Sequence, residues 1–136
     1  MAAYFSSASS NSRNTLQAVA VETPLWSSMG ASSFTSAPMM FAFVTSEDVE
    51  HGKPAPDVYK KAAQKLGLEA CDCAVFEDSL AGIVAAARAG AVKVALATTN
   101  PKSFWLDRKL SEERPNAIIG DFSEFSACAF RALFIS

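Results

Sequence analysis

Histidine is nearly absent from this chain: His51 is the only one in 136 residues. Cysteine is scarce, with Cys71, Cys73 and Cys128 alone. Cys71 and Cys73 are too close in sequence to brace a fold as a disulfide, and one histidine leaves no zinc-finger spacing. The thiols are those of a protein in a reducing compartment. No apolar run is long enough to span a bilayer, so no membrane partner is expected. Charge is also sparse, at 19% of residues with a net charge of −2. No basic patch stands out, which argues against nucleic acid as a partner. The first 40 residues hold one basic residue, Arg13, and one acidic residue, Glu22, and the first aspartate of the whole chain is Asp48.

What remains is ordinary for one small globular domain, with half the residues hydrophobic. The two parts of the chain differ. Residues 1–40 carry ten serines and fit either an organelle transit peptide or a degraded strand, a serine loop and a helix. A transit peptide would place the protein in a plastid, and its absence in the cytoplasm. From residue 41 to 136 the pattern is regular. "FAFVT" at 41–45 predicts a buried strand, followed by the loop "SEDVEHGKPAP". Pro56 and Asp57 open a helix with Val58, Ala62 and Leu66 on one face and Gly67 at its end. "CAVFE" at 73–77 predicts a second strand, and "DSLAGIVAAARAGA" a helix capped by Asp78 or Ser79 and stopped at Gly90. A third strand is expected at 92–97 and a short helix in "KSFWLDRKL". A short strand is expected in "NAIIGDF" and a last helix in "SACAFRALFI". Strands alternating with helices over short connections predict an α/β fold, a Rossmann-like parallel sheet with flanking helices. In such sheets the ligand site lies at the carboxyl ends of the strands.

Three polar groups fall at those ends. Lys53, between Gly52 and Pro54, is a lysine on a restricted backbone, suited to hold a phosphate or carboxylate as a point charge. A surface lysine in a proline-rich turn has the same local sequence. Glu77 and Asp78 form a pair of hard oxygen donors suited to magnesium; alternatively they cap a helix. Ser10, with Asn11 beside it, lies between a possible strand and a possible helix, where hydroxyls and free amides favour anions. A serine-rich tail without a ligand has the same composition.

Taken together, "VTSEDVEHGKPAPDVYKKAAQKLG" and "CAVFEDSLAGIVAAARAGAVKVAL" resemble the C-terminal half of a haloacid dehalogenase-like hydrolase. The likeness is greatest to the β-phosphoglucomutase-like phosphatases and extends over about residues 41–122. "SSNSRNTLQAV" is similar to that family's serine motif. The resemblance implies a magnesium-dependent phosphatase acting on a small phosphorylated metabolite of the sugar-phosphate type, working through an aspartyl-phosphate. Lys53 would neutralise the phosphate and the nucleophile, Glu77 and Asp78 would hold Mg2+, and Ser10, with Asn11, would bind the phosphoryl oxygens. The family's nucleophile begins a D-x-D motif on a central first strand, and the first 40 residues contain no such motif. The cap domain that normally follows it is also missing. The resemblance therefore implies a truncated, inactive member, or a non-catalytic remnant that binds phosphate or magnesium. With the central strand lost, the expectation is an ordered core over roughly 41–122 and a loosely attached N-terminus.

Overall fold

A computed structural model of the chain describes residues 2–7, 16–21, 40–124 and 132–134, with side chains from Val44 onward except Ser46 and Phe122. Its centre is strand β4, Cys73–Glu77, buried at every position. Alternation along β4 splits its side chains between two layers. Cys73 and Val75 join Val58, Tyr59, Ala62 and Leu66 of helix α1 (Asp57–Lys65) and its C-cap, and Ala85 and Ala86 of helix α2 (Leu80–Ala89). Ala74 and Phe76 face the other way, packing with Val94 and Leu96 of β5 (Val92–Leu96) and Ile119 of β6 (Ala117–Ile119). Leu133 and Phe134 pack onto that second cluster. A short helix α3, Lys102–Leu106, adds Trp105 to Ile83 and Ala95. Because Glu77 follows Val75 by two residues, the strand period carries its carboxylate into the layer of α1 and α2.

The helices begin and end where local chemistry dictates. Asp57 sits in the first turn of α1, where an acid favours the helix dipole, and Gly67 closes the helix end at φ 69°. Ser79 caps α2, its Oγ accepting from Gly82 N at 3.1 Å, and Gly90 stops the helix at φ 84°. The expected short helix and short strand are α3 and β6. The loop before α1 contains a short 3-10 turn, Ser46–Asp48, in which Asp48 Oδ2 accepts from Thr45 N at 2.7 Å. The expected last helix falls on residues of which only 132–134 are described.

The sheet has six strands in the order β3-β2-β1-β4-β5-β6. Strands β1 (Ala2–Ser7), β4, β5 and β6 pair in parallel. Strand β2 (Leu16–Val21) runs antiparallel to β1 and to β3 (Met40–Val44). The chain is thus the expected α/β fold with one reversed strand. Two expectations for the N-terminal segment are corrected. The stretch expected to turn into a helix after the serine loop is strand β2; Leu-Gln-Ala-Val-Ala-Val alternates and carries two valines, which suits a pleated sheet better than an isolated helix. The N-terminus, expected to be loosely attached, places β1 beside β4 through the steps Ala3↔Cys73 to Ser6↔Phe76. Strand pairing is made by backbone N–H and C=O groups, and a buried strand such as β4 leaves those groups unsatisfied without a neighbour. A short segment with few large apolar residues supplies them as well as any other. The described N-terminal strands therefore share one sheet with the strands that follow residue 40.

Candidate functional site

The site forms where β4 ends. The loop before α1 is tied down at two points: Asp57 Oδ2 accepts from His51 N at 3.3 Å, and Ala55 N donates to Gly52 O at 3.0 Å. Between these ties lies Lys53. Its Nζ forms an ion pair with Glu77 Oε1 and stands 5.5 Å from the Tyr59 ring centroid, a cation–π distance. The Lys53 side chain is 15% exposed and that of Glu77 is 1% exposed. The proline-framed lysine thus points inward, toward a carboxylate, with one edge left to solvent.

Glu77 is a hub. Oε1 accepts from Lys53 Nζ and from the Tyr59 hydroxyl, and Oε2 accepts from Ser79 Oγ at 3.0 Å. A buried carboxylate needs such partners, since burial without them is strongly unfavourable. The first turn of α2 leaves space for it: a Cβ at Gly82 would overlap the Glu77 carboxyl carbon. Glycine at 82 leaves the Glu77 carboxylate its place against the first turn of α2. Burial, followed by the charge of Glu77, raises the Tyr59 hydroxyl pKa well above its ordinary value. Tyr59 therefore keeps its proton and remains a donor.

Asp78 is part-exposed. Its Oδ2 accepts from Thr99 Oγ1 at 2.8 Å, and its backbone carbonyl accepts from Asn100 Nδ2 at 3.3 Å. Magnesium keeps several waters and takes one or two carboxylates along with substrate phosphates. Asp78 fits that pattern as a hard donor beside solvent. Glu77, with both oxygens engaged by Lys53, Tyr59 and Ser79, fits as a neighbour that holds the lysine. Among the described residues no group of three His, Cys, Asp or Glu side chains gathers.

The structure thus brings Lys53, Glu77 and Asp78 together at one strand end. Ser10 and Asn11 lie outside the described residues. Tyr59, Thr99 and Asn100 were not singled out from sequence. Tyr59 lies six residues after Lys53 on a buried helix face, where a phenol needs a partner. Thr99 and Asn100 follow β5, and their position just past a strand end was the available signal.

The haloacid dehalogenase-like hydrolase profile matches residues 8–90, more than half of the chain. A validoxylamine A 7'-phosphate phosphatase from Streptomyces hygroscopicus subsp. limoneus is 44% identical over 62 residues, covering 46% of this chain and 29% of that protein. Hexitol phosphatase A of Escherichia coli is 46% identical over 54 residues, covering 40% of this chain and 25% of that protein. A crystal structure of a haloacid dehalogenase-type hydrolase, family IA, variant 3, from Entamoeba histolytica superposes with a TM-score of 0.58 at 36% identity. It covers 63% of this chain and 37% of the other. The chain spans less than a third of the length of the two phosphatases. The matched region contains Lys53, Glu77 and Asp78, and the chain belongs to the haloacid dehalogenase-like hydrolase family.

Proposed function

We propose that this chain carries the lysine clamp and magnesium side of a phosphatase acting on a small phosphorylated metabolite of sugar-phosphate type, and that the 136-residue chain holds these groups without turnover. The observation that carries this reading is Lys53, pinned to buried Glu77 beside part-exposed Asp78 at the end of β4. Phosphoryl transfer asks little of a protein beyond position and charge, and a fixed ammonium beside a phosphate site supplies both. Tyr59 and Ser79 hold Glu77, Glu77 holds Lys53, and the remaining ammonium N–H groups are what the clamp offers a phosphate. Magnesium at Asp78 would supply further positive charge to the phosphoryl oxygens. The relatives' phosphate-ester substrates support the substrate class. Ser10 and Asn11 are proposed as further donors to the phosphoryl oxygens. The compartment is proposed as cytoplasm, or plastid if the serine-rich opening is a transit peptide.

Turnover needs a positioned nucleophile, and no aspartate precedes Asp48. The expected result is hydrolysis of p-nitrophenyl phosphate with Mg2+ at the rate of buffer alone, together with binding of inorganic phosphate that Lys53→Ala weakens. Turnover that disappears in Lys53→Ala or Asp78→Asn would overturn the inactive reading and point to another nucleophile. Phosphate binding that is unchanged in Lys53→Ala would overturn the clamp.

A further inference from the structure

Strand β5 ends at Leu96 and α3 begins at Lys102, so residues 97–101 form a short connection across the end of the sheet. This loop is anchored independently of Asp78. At its start Ala97 N donates to Ile119 O at 2.8 Å, and at its end Pro101 is the N-cap of α3. Between the anchors it makes two bonds to one residue of β4's end: Thr99 Oγ1 to Asp78 Oδ2, and Asn100 Nδ2 to the Asp78 carbonyl. One fixes the carboxylate and the other the backbone that carries it. Ser79, next in sequence, is fixed as the cap of α2.

We propose that Thr99 and Asn100 are positioning residues for Asp78, setting its carboxylate for a divalent cation; this rests on the magnesium reading above. Three observations favour that role over a purely structural one. The loop already has its anchors. Thr99 is exposed, and an exposed hydroxyl bond adds little to folding. Both bonds converge on Asp78, the residue whose carboxylate has solvent beside it, whereas Glu77 is satisfied from α1, α2 and the lysine loop without help from this side. Outer hydrogen bonds of this kind orient a ligand and raise its affinity for the ion, and losing one typically costs about 10–100-fold.

The test uses the full chain with Mn2+ alone as the probe, read by water-proton relaxation, and Mg2+ by competition. Thr99→Val keeps the side-chain shape and removes the donor, and its expected effect is a loss of about tenfold or more in ion affinity. Asn100→Ala is expected to weaken binding less, because its bond is to the backbone. Thr99→Ser restores the hydroxyl and should bring affinity back to within about threefold of the parent chain. Circular dichroism should be the same for all of these variants, and the serine rescue separates positioning from simple loss of structure. If the parent chain binds Mn2+, Asp78→Asn abolishes binding, and Thr99→Val binds like the parent, the positioning role is overturned while the magnesium reading stands. If the parent and Asp78→Asn are alike in binding none, both are overturned.

Discussion

Two ion pairs in this molecule use the same chemistry in opposite surroundings. Lys53 and Glu77 meet inside, at 15% and 1% exposure. Arg88 and Glu112 meet at the surface, at 45% and 41%, in the groove where α2 ends and β5 begins. The outer pair is bidentate, with Nε at 3.2 Å and Nη2 at 3.4 Å from the two carboxylate oxygens. By contact geometry alone it is well made. The difference lies in what each pair gave up. Glu77 lost its water and regained hydrogen bonds only because Lys53, Tyr59 and Ser79 converge on it and Gly82 leaves space. Arg88 and Glu112 kept much of their contact with water. The buried pair is therefore committed to one arrangement, which is what a phosphate clamp requires, and the exposed pair is not.

The comparison is tested most strongly at Glu77. Glu77→Ala removes the carboxylate and leaves the Lys53 ammonium, the Tyr59 hydroxyl and the Ser79 hydroxyl without their shared acceptor. Breaking one side of a buried pair costs about 3–5 kcal/mol, and the lower end is expected because Lys53 has an edge open to solvent. Urea unfolding of the parent and variant chains would measure it. A loss below about 1 kcal/mol, the range of surface pairs, would show that the site is wetter than its burial implies and that the two pairs do not differ in kind.

Tyr59 sharpens the same contrast. Tyr59→Phe keeps the ring against Lys53 and removes one donor to Glu77, with an expected cost of about 1.5–3 kcal/mol for a bond to a charged group. The pH dependence has a definite sign. In the folded chain the phenol holds its proton above the ordinary tyrosine value, first because it is buried and then because Glu77 is negative. Unfolded, it loses the proton near about pH 10. The neutral phenol's contribution is thus complete below about pH 10 and declines as pH rises beyond it, since the unfolded state then releases a proton that the folded state keeps. The stability gap between parent and Tyr59→Phe should narrow above about pH 10. A gap that stays constant in urea titrations on both sides of that pH would mean that Tyr59 is not buried against a charge.

The parts of this arrangement that were legible in the sequence are those fixed by neighbours along the chain. Strand β4 was bounded at Cys73–Glu77 because an apolar run ended at two acids and a serine cap. Helix α2 was bounded because Gly90 is the residue type that adopts φ 84° at a helix end. Lys53, Glu77 and Asp78 were legible because motifs place them just past strand ends. What was illegible depends on pairing at a distance. "LQAVAV" is short enough to suit helix or strand, and its antiparallel neighbours β1 and β3 decide the matter. Strand β1 has few large apolar side chains, yet β4 needs a backbone partner, which serine and alanine can supply. Tyr59 reads as one more apolar position of a helix until Glu77 is seen beneath it. Thr99 and Asn100 read as turn residues until the loop is seen to reach Asp78.

The smallest effect is expected at the surface pair, and it is informative because it is small. Arg88→Ala removes both contacts to Glu112 and a weaker one at 3.4 Å to Pro54 O. Exposed pairs are worth about 0.2–1 kcal/mol in double-mutant cycles. The cycle of Arg88→Ala with Glu112→Ala should give a coupling in that range, and it should shrink toward zero near about 1 M salt, where the screening length is about 3 Å. The Glu77→Ala loss should change little over the same salt range, since the Glu77 carboxylate is buried and screening acts mainly on exposed charges. Pro54 adjoins Lys53, so Arg88 also touches the loop that aims the clamp. If Arg88→Ala weakened phosphate binding while Glu112→Ala did not, the contact to Pro54 O would be the reason, and the surface pair could no longer be treated as separate from the buried one. Equal phosphate binding in both variants is the expected result, because the loop is already held by Asp57 at His51 N and by its own turn at Gly52.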